Sequence, residues 1–141
     1  GAGGDVLVCK NRASNNPYVK NEVVLDYTNM VGQEVFKFAV KMVPSCINEV
    51  LEKANLTVDD VDYFLLHQAN KRIIESVSKR LKVPMEKFPM NMEHYGNTSA
   101  ASIPILLDEM NKKGMLEGGK RIVMAGFGAG LSWGAAYIKS R

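Results

Sequence analysis

The stretch that decides the fold is residues 63–70, which read YFLLHQAN. Tyr63 to Leu66 form a short apolar run, and a run of this length is typical of a buried β-strand. The group His67-Gln-Ala-Asn70 follows directly after the run. In α/β proteins, functional side chains collect where strands end and helices begin. The stretch therefore predicts a buried strand with a candidate site at its end.

Helical patterns lie on both sides of this strand. Residues 33–54 carry apolar side chains with a near-complete 3.6-residue period, which predicts a long amphipathic helix. Pro44 lies inside this helix and predicts a kink or an opened turn. A second helix is expected over residues 69–81. A third is expected after the turn Tyr95-Gly-Asn-Thr-Ser99, with Ser99 as its N-cap.

The remaining apolar runs predict further strands. A glycine-rich turn, Gly126-Phe-Gly-Ala-Gly130, joins the last two, and Pro89 weakens the strand that contains it. The predicted strands cover residues 6–9, 88–92, 122–125 and 131–138. Residues 11–21 are rich in Asn and Ser and predict a loop. Helices that alternate with strands favour an α/β fold with a mixed sheet.

The composition is that of a globular domain, with 46% hydrophobic and 23% charged residues among 141. No apolar run reaches the roughly 18 residues of a membrane helix, and no signal-peptide pattern opens the chain. The net charge of +3 is mild and the basic residues lack interleaved aromatics, so no nucleic-acid partner is expected. Cys9 and Cys46 form no CxxC or Cys/His cluster, so no metal site is expected and a reduced, cytoplasmic setting is favoured.

Two polar groups could carry chemistry. A histidine such as His67 and an asparagine amide such as Asn97 can present two N–H donors to one oxygen, which stabilises a carbonyl oxygen that becomes negative. The same residues can also be a structural histidine and a turn asparagine. The glycine segment 126–130 lies between two strands, which excludes a nucleotide-binding fingerprint. It is either a tight hairpin or backbone that approaches a substrate closely.

The second predicted helix has a basic face. Five basic residues and one acidic residue, Glu75, lie between Lys71 and Lys82. This face is either a solvated surface or a patch for a phosphate or an acidic protein.

Four motifs together resemble one family, the ketoacyl-ACP synthases III (ACP is acyl carrier protein). They read GQEVFK at 32–37, HQANKRII at 67–74, YGNTSAASIP at 95–104 and GFGAGLSWG at 126–134. The resemblance covers residues 1–141 and is to the C-terminal half of that family. It implies one half of the thiolase fold, a mixed sheet with packed helices, lacking the first strand of that half. It also implies that the N-terminal half, with the catalytic cysteine, is absent.

For the intact enzyme, the resemblance implies a cytoplasmic acyltransferase that starts fatty acid synthesis. A cysteine takes acetyl or another short acyl group from CoA, and this group is joined to malonyl-ACP with loss of CO₂. His67 and Asn97 would hydrogen-bond the malonyl thioester oxygen as charge develops. The loop of Gly128, Ala129 and Gly130 would border the acyl thioester. No cofactor is implied besides these substrates, and the chain alone is predicted to be inactive.

The resemblance also implies binding positions for the partners. The positions that match the family's binding site for the phosphopantetheine arm of CoA or ACP are Gln33, Phe36, Ala69 and Asn70. The positions that match its patch for acidic ACP are Lys37, Arg72, Lys79 and Arg80. Gln33 departs from the family pattern, in which a shorter asparagine is familiar. The intact enzyme would be a homodimer without nucleic-acid or membrane partners. The alternatives are a related synthase of a secondary-metabolite pathway, a non-catalytic ACP- or CoA-binding fragment, and a fragment with no independent role.

Overall fold

The structure is a computed structural model that describes residues 3–9, 17–18 and 27–141. The strands and helices follow one another in this order: β1 Leu7–Cys9, β2 Thr28–Met30, α1 Gly32–Lys53, β3 Tyr63–Leu66, α2 Lys71–Leu81, α3 Met92–Tyr95, α4 Ser102–Lys112, β4 Arg121–Gly128 and β5 Ser132–Lys139. The predicted loop at 11–21 lies outside the described residues except for a turn at 17–18. Within the described ranges, no helix combines the length and apolar character needed to cross a bilayer.

The main sheet is mixed, as the sequence predicts. β4 lies in the middle, parallel to β3 and antiparallel to β5. β1 and β2, of which the first was predicted and the second was not, form a separate antiparallel pair. Helices cover both faces of the main sheet. Phe64 and Leu66 of β3 pack in the cluster that α1 and α2 complete, and Leu65 packs in the cluster that α4 completes. β3 is therefore buried on both sides.

Pro44 lies inside α1, which nevertheless runs without interruption from Gly32 to Lys53. Proline has no N–H, so the carbonyl of Val40, four residues earlier, loses its helical partner. Arg80 of α2 supplies the replacement, because its Nη1 donates to the Val40 carbonyl oxygen at 3.3 Å. The carbonyl that Pro44 leaves without a helical donor thus accepts a hydrogen bond that links α1 to α2.

The predicted strand at 88–92 is wrong. A 3₁₀ turn at Met85–Lys87 precedes this segment, and α3 begins at Met92. Phe88 is buried and its ring stacks on Phe64, with a centroid distance of 5.0 Å. Asn91, whose side chain is polar, is also buried. The alternation of Phe88, Met90 and Met92 resembles a strand pattern, but tertiary contacts determine the backbone conformation of this segment.

The starts of two helices differ from the prediction. Ser99 does not cap α4; a 3₁₀ turn at Ser99–Ala101 precedes the helix, which begins at Ser102. α2 begins at Lys71, and Asn70 caps it by accepting a hydrogen bond from the Arg72 N–H at 2.9 Å. The tight-hairpin interpretation of the glycine segment is confirmed, although β4 extends through Gly128.

Replacing Arg80 with Met tests the link between α1 and α2. The change keeps an unbranched stem but removes the donor to Val40, so the free energy of unfolding is expected to fall by about 1 kcal/mol. The matched control is Lys79→Met. The Lys79 side chain is exposed and makes no hydrogen bond or ion pair within the described residues, so this change should cost less than about 0.5 kcal/mol. Urea unfolding followed by circular dichroism measures both, and equal losses would contradict the link.

Candidate active site

A cleft of about 810 Å³ opens at the carboxyl ends of β3 and β4. The β1–β2 pair, the first turns of α1 and α4, and the start of β5 complete its walls. Its volume lies in the range of small-molecule sites. None of the described residues that line it is Asp, Glu, Lys or Arg. The cleft therefore presents uncharged polar groups on a mainly apolar wall.

His67 enters the cleft directly after β3. Its backbone N–H donates to the Ala125 carbonyl at 2.9 Å and so extends the β3–β4 ladder by one residue. Its ring lies edge-on to Phe127, with a centroid distance of 5.3 Å, and its Nδ1 lies 2.7 Å from the Ser102 hydroxyl oxygen. Burial lowers the pKa of His67 below its ordinary value, because the charged ring loses solvation. His67 is therefore mainly neutral at pH 7.

Asn97 lines the same cleft as His67. Its Oδ1 accepts a hydrogen bond from the Ser99 N–H at 2.9 Å. This bond fixes the orientation of the amide, since the oxygen is the end that accepts. The Nδ2 group has no partner among the described residues and remains available as a donor. The two residues that sequence reasoning paired are thus brought to one site, and their catalytic roles stay predictions.

The glycine segment contributes to the cleft unevenly. Gly128 and Ala129 line it, whereas Gly130 shapes the turn beside it. Gly130 has a φ of +132°, and a Cβ there would lie 3.2 Å from the Ser132 nitrogen. A side chain at this position would therefore strain the hairpin.

The four residues predicted to bind a phosphopantetheine arm lie around the mouth of the cleft or near it. Ala69 lines the cleft, and Asn70 follows it as the cap of α2. Phe36 follows Val35, which lines the cleft, and is half-buried beneath the Arg72 guanidinium, whose Cζ is 5.8 Å from the ring centroid. Gln33 is exposed in the first turn of α1. Their binding role stays a prediction.

The four predicted ACP-binding residues lie on the neighbouring helices α1 and α2 and differ in their own contacts. Lys37 pairs with Glu34 at 2.9 Å on the exposed face. Arg72 covers Phe36, and Arg80 donates to the Val40 carbonyl. Only the Lys79 side chain, of the four, makes no contact of these kinds within the described part of the chain.

Neither cysteine lines the cleft. Cys9 is exposed at the end of β1. Cys46 is buried in the core, as expected, and its thiol donates to the Val43 carbonyl at 3.2 Å. Burial raises the pKa of Cys46, which disfavours the reactive thiolate. No group of three His, Cys, Asp or Glu side chains suited to a metal ion occurs in the described ranges.

Sequence reasoning missed three residues of the site. Ser102 contacts His67 from 35 positions away, and Phe127 faces the His67 ring. Trp133 lines the cleft and lies edge-on to Phe38, with a centroid distance of 5.5 Å. Phe127 and Trp133 lie inside the GFGAGLSWG motif, so that motif was a usable signal for them. Ser102 lies inside the YGNTSAASIP motif, but its contact with His67 is long-range, and no local pattern in the sequence indicates that contact.

Comparison with known proteins identifies close relatives. The model of the 3-oxoacyl-[acyl-carrier-protein] synthase III C-terminal family matches residues 51–140. The β-ketoacyl-[acyl-carrier-protein] synthase III of Clostridium novyi (strain NT) is 51% identical over 140 residues, which are 99% of this chain and 43% of the relative. The chain therefore spans less than half the length of this relative.

Solved structures agree with this match. The β-ketoacyl-[acyl carrier protein] synthase III of Thermus thermophilus superimposes with a TM-score of 0.88 at 39% identity, over 100% of this chain and 43% of that one. The priming β-ketosynthase of the R1128 polyketide biosynthetic pathway gives a TM-score of 0.83 at 38% identity, over 99% of this chain and 42% of that one. The fold predicted from the four motifs is thus confirmed.

His67 is expected to titrate below the ordinary histidine value of 6.5. NMR titration of a His94→Gln variant, which keeps a single imidazole, measures this pKa. Between the lowered native pKa and the unfolded value near 6.5, the unfolded chain binds a proton that the native protein does not. The contribution of His67 to the free energy of unfolding should therefore fall as pH decreases through this window and stay constant below it. A native midpoint at or above 6.5 would contradict the half-buried neutral ring.

Proposed function

The chain belongs to the 3-oxoacyl-[acyl-carrier-protein] synthase III family, and from this premise we propose that it forms part of a condensing acyltransferase. In the proposed reaction, a short acyl group derived from acyl-CoA is joined to malonyl-ACP with loss of CO₂. One observation carries the proposal: His67 and Asn97 line one cleft, and each has one hydrogen-bonding end anchored within the protein. The opposite ends can then act as two donors to a single substrate oxygen.

The proposed role of the pair follows from the chemistry of decarboxylation. When the malonyl thioester loses CO₂, the electron pair of the broken C–C bond moves onto the α-carbon and into the thioester carbonyl. The carbonyl oxygen becomes negative, as in an enolate. Donors from neutral, half-buried His67 and from the Asn97 amide, which is exposed in this chain, stabilise that charge. The α-carbon then attacks the carbonyl carbon of the thiol-bound acyl group, so that the new C–C bond forms, the C–S bond breaks and the thiol is released.

The acyl group needs a thiol that this cleft does not itself supply. Cys46 is buried in the core with its thiol bonded to the Val43 carbonyl, and Cys9 does not line the cleft. We therefore place the nucleophile in a part of the full-length protein outside these 141 residues and expect the isolated chain to lack condensing activity. In the proposed arrangement, Gly128 and Ala129 border the acyl thioester, with the Ala129 N–H as an oxyanion donor.

The proposed route for the substrate arm runs from α2 into the cleft. ACP would dock on the basic residues of α1 and α2, namely Lys37, Arg72, Lys79 and Arg80. The support is their placement on adjacent helices, because α2 begins directly after Asn70, and Ala69 already lines the cleft. The arm would pass Gln33, Phe36, Ala69 and Asn70. Acyl-CoA would use the same entrance, and the full-length protein would act as a homodimer without a further cofactor.

A role in polyketide rather than fatty acid synthesis is the second candidate. Identity to the priming ketosynthase of the R1128 pathway, 38%, nearly equals the 39% to the Thermus enzyme. The proposed donor-pair chemistry serves both pathways. Assays of the full-length protein with a series of acyl-CoA primers would distinguish them.

His67→Ala and Asn97→Ala in the full-length protein are expected to slow decarboxylation of malonyl-ACP by about 10²-fold each, since each removes one donor to the developing oxyanion. Transfer of the acyl group from acyl-CoA to the enzyme should change far less. Single-turnover assays of the two half-reactions with radiolabelled substrates measure this difference. Equal losses in both half-reactions would contradict the proposed donor role and indicate a role in folding or general binding.

Charge reversal on α2 is expected to weaken use of malonyl-ACP. At low salt, Arg72→Glu and Lys79→Glu should each raise KM for malonyl-ACP by about 10-fold and reduce its dependence on ionic strength. KM for acyl-CoA should change less. Lys113→Glu is the matched control, because Lys113 is exposed at the end of α4, on the opposite face of the sheet. If all three variants behave alike, the face of α2 is only a solvated surface.

A further inference from the structure

A connected set of buried polar side chains lies behind the cleft. The described residues include four buried polar side chains, Gln68, Ser78, Asn91 and Ser102. Ser78 is separate from the other three, because its hydroxyl donates to the Val83 carbonyl just after the end of α2. The other three are joined to one another and to His67. Buried polar networks are costly when incompletely paired, so a network at this place calls for a physical reason.

Gln68 is the centre of the network. It is fully buried, and its side-chain Nε2 donates to the Leu66 carbonyl at 2.8 Å. Its Oε1 accepts from the Asn91 N–H at 3.3 Å, and its backbone N–H donates to the Ser102 hydroxyl oxygen at 3.2 Å. Gln68 thus ties the end of β3 to the segment before α3 and to the first turn of α4.

The network extends to Glu109 of α4. Asn91 Nδ2 donates to one carboxylate oxygen at 2.9 Å, and the Tyr95 hydroxyl donates to the other at 3.0 Å. The bonds from Asn91 and Tyr95 hold the pKa of Glu109 below its ordinary value and keep it ionised. Asn97 lies between two anchored residues, Tyr95 and Ser102. The segment that carries Asn97 is therefore attached at both ends to the groups that hold His67.

The hydroxyl of Ser102 has a defined donor direction. A serine hydroxyl has one proton to donate and can accept two hydrogen bonds. Ser102 already accepts from the Gln68 N–H, and its proton has no acceptor other than His67 Nδ1 within the described residues. If Nδ1 carried the proton, the buried hydroxyl would donate to nothing, which is costly. The favoured arrangement has Ser102 donating to Nδ1, with the proton of the neutral ring on Nε2.

We propose that Ser102 and Gln68 are positioning residues for His67: the Ser102 hydroxyl, oriented by the Gln68 N–H, keeps His67 in the tautomer that offers an Nε2–H donor to the cleft. The benefit for catalysis rests on the proposed function, but the tautomer itself does not. The alternative Nδ1–H tautomer would leave Nε2 as an acceptor, which would repel a developing oxyanion. A single hydroxyl thus decides whether His67 stabilises or destabilises that charge.

The test reads the tautomer and the chemistry separately in the full-length protein. Nitrogen-15 NMR distinguishes protonated from unprotonated ring nitrogens, and a His94→Gln background removes the second histidine of this chain. The ring is expected to be mainly Nε2–H in this background and in Ser102→Thr, which keeps the hydroxyl. In Ser102→Ala it is expected to become a mixture of both tautomers. Ser78→Ala is the matched control, since it removes a buried serine hydroxyl that does not contact His67.

The kinetic arm measures malonyl-ACP decarboxylation in the same variants. Ser102→Ala is expected to lower kcat by about 10-fold with KM little changed, and Ser102→Thr to restore most of the loss. If Ser102→Ala does not fold, Ser102→Cys replaces it, because a thiol fills the site but is a weak hydrogen-bond partner. An unchanged tautomer in the variant that lacks the hydroxyl would overturn the positioning role. A changed tautomer with unchanged decarboxylation would support that role and overturn the function proposed for His67.

Discussion

The site depends on the parallel pairing of β3 with β4. β3 has only four residues and is buried on both faces, by the cluster of α1 and α2 on one side and by that of α4 on the other. Polar side chains have no place along such a strand, so they can appear only after it ends. The bond from the His67 N–H to the Ala125 carbonyl carries the ladder one residue further. It thereby fixes His67 beside Phe127 and the glycine-rich end of β4.

The packing of α2 on α1 depends in part on arginines that the sequence pattern assigns to an exposed helix face. Arg80 and Arg72 belong to a basic helix face, yet one satisfies a carbonyl that Pro44 leaves without a partner and the other covers Phe36. Both contacts tie α2 to α1, and the contact of Arg72 with Phe36 lies in the first turn of α2, shortly after Ala69, which lines the cleft. A cation that is held by its own protein keeps its charge but loses mobility. The two guanidinium groups are therefore partly preorganised, which would lower the entropic cost of binding the acidic carrier proposed above.

The sequence predicted the helices and strands better than the long-range contacts between them. β3, α1 and the β4–β5 hairpin could be predicted, because burial on both faces, a 3.6-residue period and a glycine turn are local signals. The segment at 88–92 could not, because Phe88 and Asn91 take their positions from partners in β3 and α4. Ser99 failed as a cap because it lies inside a 3₁₀ turn with a φ of +52°, whereas an N-cap residue usually has an extended backbone. The Ser102–His67 contact joins residues 35 positions apart, and a single sequence carries no signal for such a pair.

The lack of charged side chains among the described residues of the cleft fits the proposed chemistry better than a cation would. The carboxylate of a malonyl group is negative before the reaction and leaves as neutral CO₂. A lysine or arginine beside it would stabilise the starting state and raise the barrier to its loss. Neutral donors such as Nε2–H of His67 and the Asn97 amide bind the neutral thioester oxygen weakly and interact most strongly once that oxygen becomes negative. In the proposed arrangement, the basic residues that attract the carrier lie instead on α1 and α2, outside the cleft lining and away from the carboxylate.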